Sequence, residues 1–140
     1  MKRGAGVLAA FLLTPCAAAH TAVTSIVPAS QATITAPRNV EIAFNEAVDL
    51  HFATFKVYPL KAQGDKLALN RAAATLAKSA LKARNDQAQR ADQFTPQYGT
   101  TAKVSVPLKS GLAKGPYVFM WRVLSGDGHI VTGQSVFHIR

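Results

Sequence analysis

Short runs of β-branched and aromatic residues, separated by turn residues, recur along most of this 140-residue chain. In one run Val40, Ile42 and Phe44 alternate with other residues, the two-residue period of a strand that buries one face. The pair Gly115-Pro116 marks one of the turns. The pattern predicts an antiparallel all-β domain, a two-sheet β-sandwich or Greek-key barrel. The predicted strands are residues 21–27, 38–44, 52–58, 101–108, 117–124 and 130–139.

One segment, residues 67–94, interrupts this pattern with a composition that favours a helix. It is rich in alanine, leucine, lysine, arginine and glutamine, and it has no proline or glycine. Arg71, Lys78 and Lys82 fall on one face at helical spacing. We expect a surface helix inserted between strands. It is either a solvated amphipathic helix packed on the sandwich or a docking face for a membrane or an acidic partner.

Residues 1–19 are typical of a secretory signal peptide rather than of a folded segment. Lys2 and Arg3 give a positive start, residues 7–13 form a short apolar run, and three alanines precede His20. Cleavage before His20 leaves residues 20–140 as one exported domain. Loss of the two cations lowers the formal net charge from +9 to +7. That excess favours anionic surfaces, and it does not by itself indicate nucleic acid.

The single cysteine, Cys16, lies inside the predicted signal peptide. The exported domain would therefore have neither a thiol nor a disulfide, and its stability must come from packing. An alternative is that Cys16 anchors a lipoprotein, because Leu13 lies three positions before it. Pro15 fits that signal poorly. A lipoprotein would leave His20 inside the chain, without a free amine.

Candidate metal ligands occur at both ends of the predicted domain. A histidine at a new N-terminus offers two nitrogens, the α-amine and the imidazole Nδ1, which can close a chelate ring. Asp127-Gly128-His129 adds a carboxylate and a second imidazole, and residues two apart in extended backbone project to the same side. These donors suit Cu(II), which favours nitrogen and oxygen ligands. We therefore predict one Cu(II) ion per chain, held by His20, Asp127 and His129. Taken alone, the Asp-Gly pair could equally be an ordinary turn.

The residues around these candidates are similar at both ends to a known family, the CopC-type periplasmic copper resistance proteins. The matching positions at the N-terminal end are His20, Ser25, Pro28, Ala36, Pro37 and the run Phe44, Asn45, Glu46, Ala47 and Val48. Those at the C-terminal end are Leu112, Gly115, Tyr117, residues 121–129, Gly133 and Phe137.

The resemblance implies an Ig-like sandwich and a role for particular residues. His20, with its amine, Asp127 and His129 match the Cu(II) ligands of the family. Glu46 matches an acidic position near the copper, where it would orient a ligand or a bound water. An exposed glutamate at a strand end is the alternative interpretation of Glu46. Trp121 is expected to pack in the core near the site.

Elsewhere the sequence offers little for a second metal site. Family members with a Cu(I) site carry a methionine-rich loop, but residues 54–70 contain no methionine, and Met120 is the only one after the predicted signal peptide. We expect no Cu(I) site. His51 and His138 are predicted to be ordinary surface or edge residues, with His138 pointing outward. A weak accessory role for His51 stays open.

Three functions are compatible with these features. The first is a copper carrier or buffer without enzymatic activity, which could pass copper to a membrane transporter of the CopD kind. A second is a copper-dependent oxidative enzyme of the lytic polysaccharide monooxygenase kind, which shares the N-terminal histidine chelate. The third is an Ig-like interaction module with an incidental histidine. We expect a monomer.

Overall fold

The computed structural model describes residues 20–140 as two β-sheets packed face to face, with one helix on the outside. Three strands form the first sheet, in the order β1-β3-β5, and four form the second, in the order β2-β7-β6-β4. Neighbouring strands are antiparallel except for β2 and β7. The predicted all-β sandwich with an inserted helix is confirmed. The elements are β1 Val23–Val27, β2 Thr33–Ile34, β3 Asn39–Asp49, a short 3-10 helix Leu50–Phe52, β4 Thr54–Pro59, α1 Lys66–Ala80, β5 Thr100–Pro107, β6 Gly115–Leu124 and β7 Ile130–Ile139. The predicted signal peptide, residues 1–19, lies outside the described residues.

Apolar side chains from both sheets meet in the main core. Val40, Ile42 and Phe44 are buried there, as their alternation predicted. From the opposite sheet come Phe119 and Trp121, whose ring centroids lie 5.4 Å apart. Burial of such large side chains is the main source of stability in a domain without a disulfide.

The helix α1 packs on the outer face of the four-stranded sheet and forms a second apolar cluster. Asp65 caps its first turn, because the carboxylate accepts a hydrogen bond of 2.9 Å from the Ala68 N–H. The small side chains of Ala73 and Ala77 allow the helix to lie close to the sheet. Among residues 20–140, no helix has the length and apolar character to cross a bilayer. The helix and sheet residues buried in this cluster are Tyr58, Leu60, Leu69, Ala73, Ala77, Ala80, Val118, Met120 and Val136.

The predicted helical extent, residues 67–94, was wrong at its C-terminal end. The helix ends at Ala80, and the chain beyond it forms turns and irregular segments. Lys56, a buried residue of β4, explains why the chain leaves the helical path after Ala80. Its Nζ donates hydrogen bonds of 2.8 Å to the carbonyl oxygens of Ala80 and Ala83. Asn85 then adopts a left-handed backbone conformation, with φ of 56°, which is incompatible with a continuing helix.

Buried charges tie this irregular segment to β4. The Nζ of Lys56 lies 2.7 Å from a carboxylate oxygen of Asp86, which also accepts a hydrogen bond from the Tyr58 hydroxyl. Arg90 pairs with Asp92 at 2.5 Å. Burial alone would raise the pKa of Asp86, but the hydrogen bonds from Lys56 and Tyr58 outweigh it and hold that pKa below its usual value. Burial and the neighbouring carboxylate raise the pKa of Tyr58.

Replacing Lys56 with methionine tests this network. Lys56→Met would leave the Asp86 carboxylate without its closest cation and two carbonyl groups without their donor. We expect the free energy of unfolding, measured by urea denaturation, to fall by about 3 kcal/mol. Lys61→Met, at an exposed position, is the matched control and should change it by less than about 0.5 kcal/mol. Equal effects of the two substitutions would contradict a structural role for the buried ammonium.

The lowered pKa of Asp86 also predicts a dependence on pH. A carboxylate whose pKa is lower in the folded state than in the unfolded state stabilises the fold above the unfolded pKa, about 3.9. That contribution is lost as pH falls through the folded pKa. The stability difference between the wild type and Asp86→Asn should therefore be larger at neutral pH than below about pH 3. A difference that stays constant in urea titrations across this range would contradict the assignment.

Candidate metal centre

The loop between β6 and β7 carries two of the three predicted ligands. The strands pair up to Leu124 and Ile130, and the loop is closed by a hydrogen bond of 2.8 Å from the Ser125 N–H to the His129 carbonyl oxygen. Gly128 has φ of 87°, which a residue with a side chain rarely adopts. This turn therefore brings the side chains of Asp127 and His129 to the same end of the sandwich.

The carboxylate of Asp127 is held by its own loop. One oxygen, Oδ1, accepts hydrogen bonds from the Ser125 hydroxyl and, at 3.1 Å, from the His129 N–H. The other oxygen, Oδ2, lies 2.9 Å from Nδ1 of His129 and 3.7 Å from Nδ1 of His20. The hydrogen bond from Ser125, followed by those from His129, lowers the pKa of Asp127 below its usual range. Asp127 is therefore negatively charged at neutral pH, as a metal ligand must be.

His20 reaches this loop because Asn45 fixes the backbone of the N-terminal segment. The side-chain amide of Asn45 donates a hydrogen bond of 3.1 Å to the His20 carbonyl oxygen, and its side-chain oxygen accepts a hydrogen bond of 2.9 Å from the Ala22 N–H. The backbone N–H of Asn45 donates a further bond to the Ala22 carbonyl oxygen. Asn45 lies where the pairing of β3 with β5 shifts register, between Ala43 and Val48. Such an irregularity turns side chains away from their regular positions.

Glu46, the next residue in this irregular part of β3, lies between the two halves of the centre. Its carboxylate accepts a hydrogen bond from the hydroxyl of Thr21, which is buried. On the other side, a Cβ added to Gly126 would lie 3.8 and 3.9 Å from the two carboxylate oxygens. Glu46 therefore contacts the neighbours in sequence of two predicted ligands, since Thr21 follows His20 and Gly126 precedes Asp127. Its contact with a bound ion stays a prediction.

The separations of these donors are compatible with a shared metal ion. Two donors that each bind one ion at about 2 Å lie about 2.8 Å apart at a right angle and about 4 Å apart when opposite. The distances of 2.9 and 3.7 Å from the Asp127 carboxylate fall in this range. Within residues 20–140, however, no group of three or more His, Cys, Asp or Glu side chains is already arranged to hold a metal ion.

Sequence reasoning gave no role to the residues that hydrogen-bond to the predicted ligands or to their neighbours. Asn45, Thr21 and Ser125 all bind polar groups of the centre, but none belongs to a periodic pattern that would reveal it. The only signal was that Asn45 and Ser125 belong to the stretches that resemble the CopC-type family.

The remaining sequence candidates lie elsewhere or are buried. Trp121 is in the core as expected, and Gly133 makes room for it, because a Cβ there would lie 2.3 Å from the indole ring. His51 is exposed and stacks on Tyr98, with ring centroids 5.2 Å apart. His138 is half-buried rather than fully outward, and its Nε2 lies 3.1 Å from the Gln31 side-chain oxygen.

Comparison with known proteins identifies the family. The model of the CopC domain matches residues 23–140. Protein YobA of Escherichia coli K12 is 28% identical over 141 residues, which cover 100% of this chain and 94% of that protein. CopC from Methylosinus trichosporium OB3b is 20% identical with a TM-score of 0.54, covering 86% of this chain and 93% of that one. PcoC, a methionine-rich copper resistance protein from Escherichia coli, is 19% identical with a TM-score of 0.57, covering 87% and 100%. The predicted resemblance is confirmed, and the chain belongs to the CopC domain family.

Proposed function

We propose that this protein binds one Cu(II) ion through His20, Asp127 and His129 and serves copper resistance in the periplasm as a carrier or buffer. The observation that carries the proposal is that His20, remote in sequence, lies 3.7 Å from the same carboxylate oxygen that lies 2.9 Å from His129. The family membership supports it, because the solved relative PcoC is described as a copper resistance protein. The family match begins at residue 23, so the role of His20 rests on the local geometry.

The donor set favours Cu(II) over Cu(I). Cleavage before His20 would free an α-amine next to its imidazole, and a second imidazole and the ionised Asp127 would complete a site rich in nitrogen and oxygen. Soft thioether ligands, which Cu(I) prefers, are not available at the surface of residues 20–140, because the single Met120 is fully buried under the helix. Glu46 would orient a ligand or a bound water.

Exposure of the ligands suits exchange of the ion. The His20 and His129 side chains are 76% and 77% exposed, so a partner can reach the metal without unfolding the domain. We propose that a monomer passes copper to a membrane transporter of the CopD kind and catalyses no reaction. Oxidation of chitin or cellulose by the copper-loaded protein with peroxide would contradict the non-enzymatic part of this proposal.

A free amine at His20 is the most specific requirement of this site. Adding one glycine before His20 replaces that amine with an amide, and we expect the Cu(II) affinity, measured by competition titration, to fall by more than about tenfold. Electron paramagnetic resonance should detect fewer nitrogen ligands in the extended protein. A chain with the same glycine added after Arg140 is the control. Unchanged affinity in the N-terminally extended protein would rule out the amine as a ligand.

Asn45 should matter to copper binding although it is not a ligand. Asn45→Ala removes both side-chain hydrogen bonds that hold residues 20–22, so we expect the Cu(II) affinity to fall by about tenfold. Asn39→Ala is the matched control. It changes another asparagine of β3, whose side-chain amide donates a hydrogen bond of 2.9 Å to the Ser105 hydroxyl. Equal copper affinities for Asn45→Ala and Asn39→Ala would show that this clamp is not needed.

A further inference from the structure

A groove of about 510 Å³ lies beside the candidate metal centre, between the C-terminal half of α1 and the outer face of the four-stranded sheet. Ala74, Ala77 and Leu81 line it on the helix side. Ile130 and Thr132 of β7 line it on the sheet side. The helix covers only part of that face, so Ile130, Thr132 and Gln134 are exposed at this end of the sheet. Ile130, together with Ala74, Ala77 and Leu81, forms the apolar floor of the groove. Ile130 is 55% exposed there.

The groove is strongly basic. Lys78, Lys82 and Arg122 line it, and none of its lining residues is acidic. In the part of the chain that the structure describes, no carboxylate lies within 4.0 Å of any of these three cations. Three like charges around one apolar floor repel each other, and an anionic ligand would relieve that repulsion.

The groove begins at the loop that carries the predicted ligands. Ile130 follows His129 directly and pairs with Leu124, the last residue of β6. Arg122 pairs with Thr132 two residues further along the same two strands. A chain segment bound in the groove would therefore approach the side of the sandwich where His129 is exposed.

We propose that this groove binds an acidic segment of a partner protein, with glutamate or aspartate side chains on the three cations and apolar side chains on the floor. Identification of that partner as one that exchanges copper with this chain rests on the function proposed above. The docking site itself does not, because it depends only on the shape and charge of the groove.

Two other occupants fit less well. A helix that binds a membrane surface presents its apolar face to the lipid, whereas the apolar face of α1 is buried on Val118, Met120 and Val136. On the exposed face of α1, Leu67 is the only large hydrophobic residue, and it lies outside the groove. A second copy of this chain has no acidic segment to offer, since no two of its seven acidic residues lie closer than three positions apart in sequence.

The test uses a fluorescein-labelled peptide of alternating glutamate and leucine, with a glutamine-for-glutamate peptide as the probe control. Anisotropy titrations at about 0.05 M and 0.15 M salt measure the affinity of the protein for each peptide. We expect the glutamate peptide to bind, with an affinity that falls as salt rises, and the glutamine peptide to bind more weakly.

Two variants of equal net charge separate the groove from a general charge effect. The triple variant Lys78→Glu, Lys82→Glu, Arg122→Glu should bind the glutamate peptide about tenfold more weakly than the wild type. The control Lys61→Glu, Lys66→Glu, Arg71→Glu changes exposed cations outside the groove and should lose at most about twofold. Equal losses in the two variants would overturn the proposal, because attraction would then depend on net charge alone.

A third variant tests occupation of the groove without removing any charge. Thr132→Trp fills the floor, so we expect it to weaken peptide binding by about tenfold while thermal melting shows that the fold is kept. Unchanged peptide affinity would overturn the proposal. So would capture of the wild type by phosphatidylglycerol vesicles, lost in the groove variant, in the absence of peptide binding.

Copper titration of the same proteins, without peptide, separates this proposal from the previous one. If the groove variant loses the peptide and keeps its Cu(II) affinity, the docking site and the metal centre are distinct, as we propose. If the wild type fails to bind copper while the peptide results hold, the proposed copper function fails and the docking site stands.

Discussion

Burial of β6 on both faces is the constraint on which the rest of the structure depends. Tyr117, Phe119 and Trp121 point into the main core, while Val118 and Met120 point to the opposite side of the same strand. If the core between the two sheets were the only one, Val118 and Met120 would be exposed to water. The alanine-rich helix covers them, and this explains why a largely β domain contains a helix between β4 and β5. Because β6 is fixed on both sides, the loop that follows it begins from a rigid strand.

The candidate metal centre is held by polar bonds at the edge of this rigid core. Asn45 and Glu46, which lie in the irregular part of β3, bind the N-terminal segment through its backbone and through Thr21. The ring nitrogens themselves are not locked by packing. A frame fixed by hydrogen bonds, with exposed side chains at the predicted ligands, is compatible with the proposed role as a carrier, in which the ion would enter and leave.

The sequence predicted the parts of the fold that follow from local pattern, and it missed those that depend on distant contacts. Runs of β-branched and aromatic residues between turns located six strands, but β2 has only two residues, too few to form a recognisable run. Composition located the helix but not its end, because the residue that binds the last turn is Lys56, on a strand that precedes it. The ligand set was predicted from chemistry and from the family resemblance. The role of Asn45 was not predicted, since a side-chain hydrogen bond to the backbone of a residue 25 positions away leaves no local pattern in the sequence.

The positive surface next to the candidate metal centre has its origin in how the few acidic residues are used. There are 16 lysine and arginine residues in the whole chain but only 7 acidic ones, and every acidic side chain has a partner. Asp86 and Asp92 are buried with cations, and Asp65 caps the helix. The others pair with Lys103, Thr21, a backbone N–H and the histidines of the centre. No carboxylate is therefore left over to neutralise Lys78, Lys82 and Arg122. The unbalanced charge of this face can be compensated only from outside the described residues, by solvent ions or by an anionic partner.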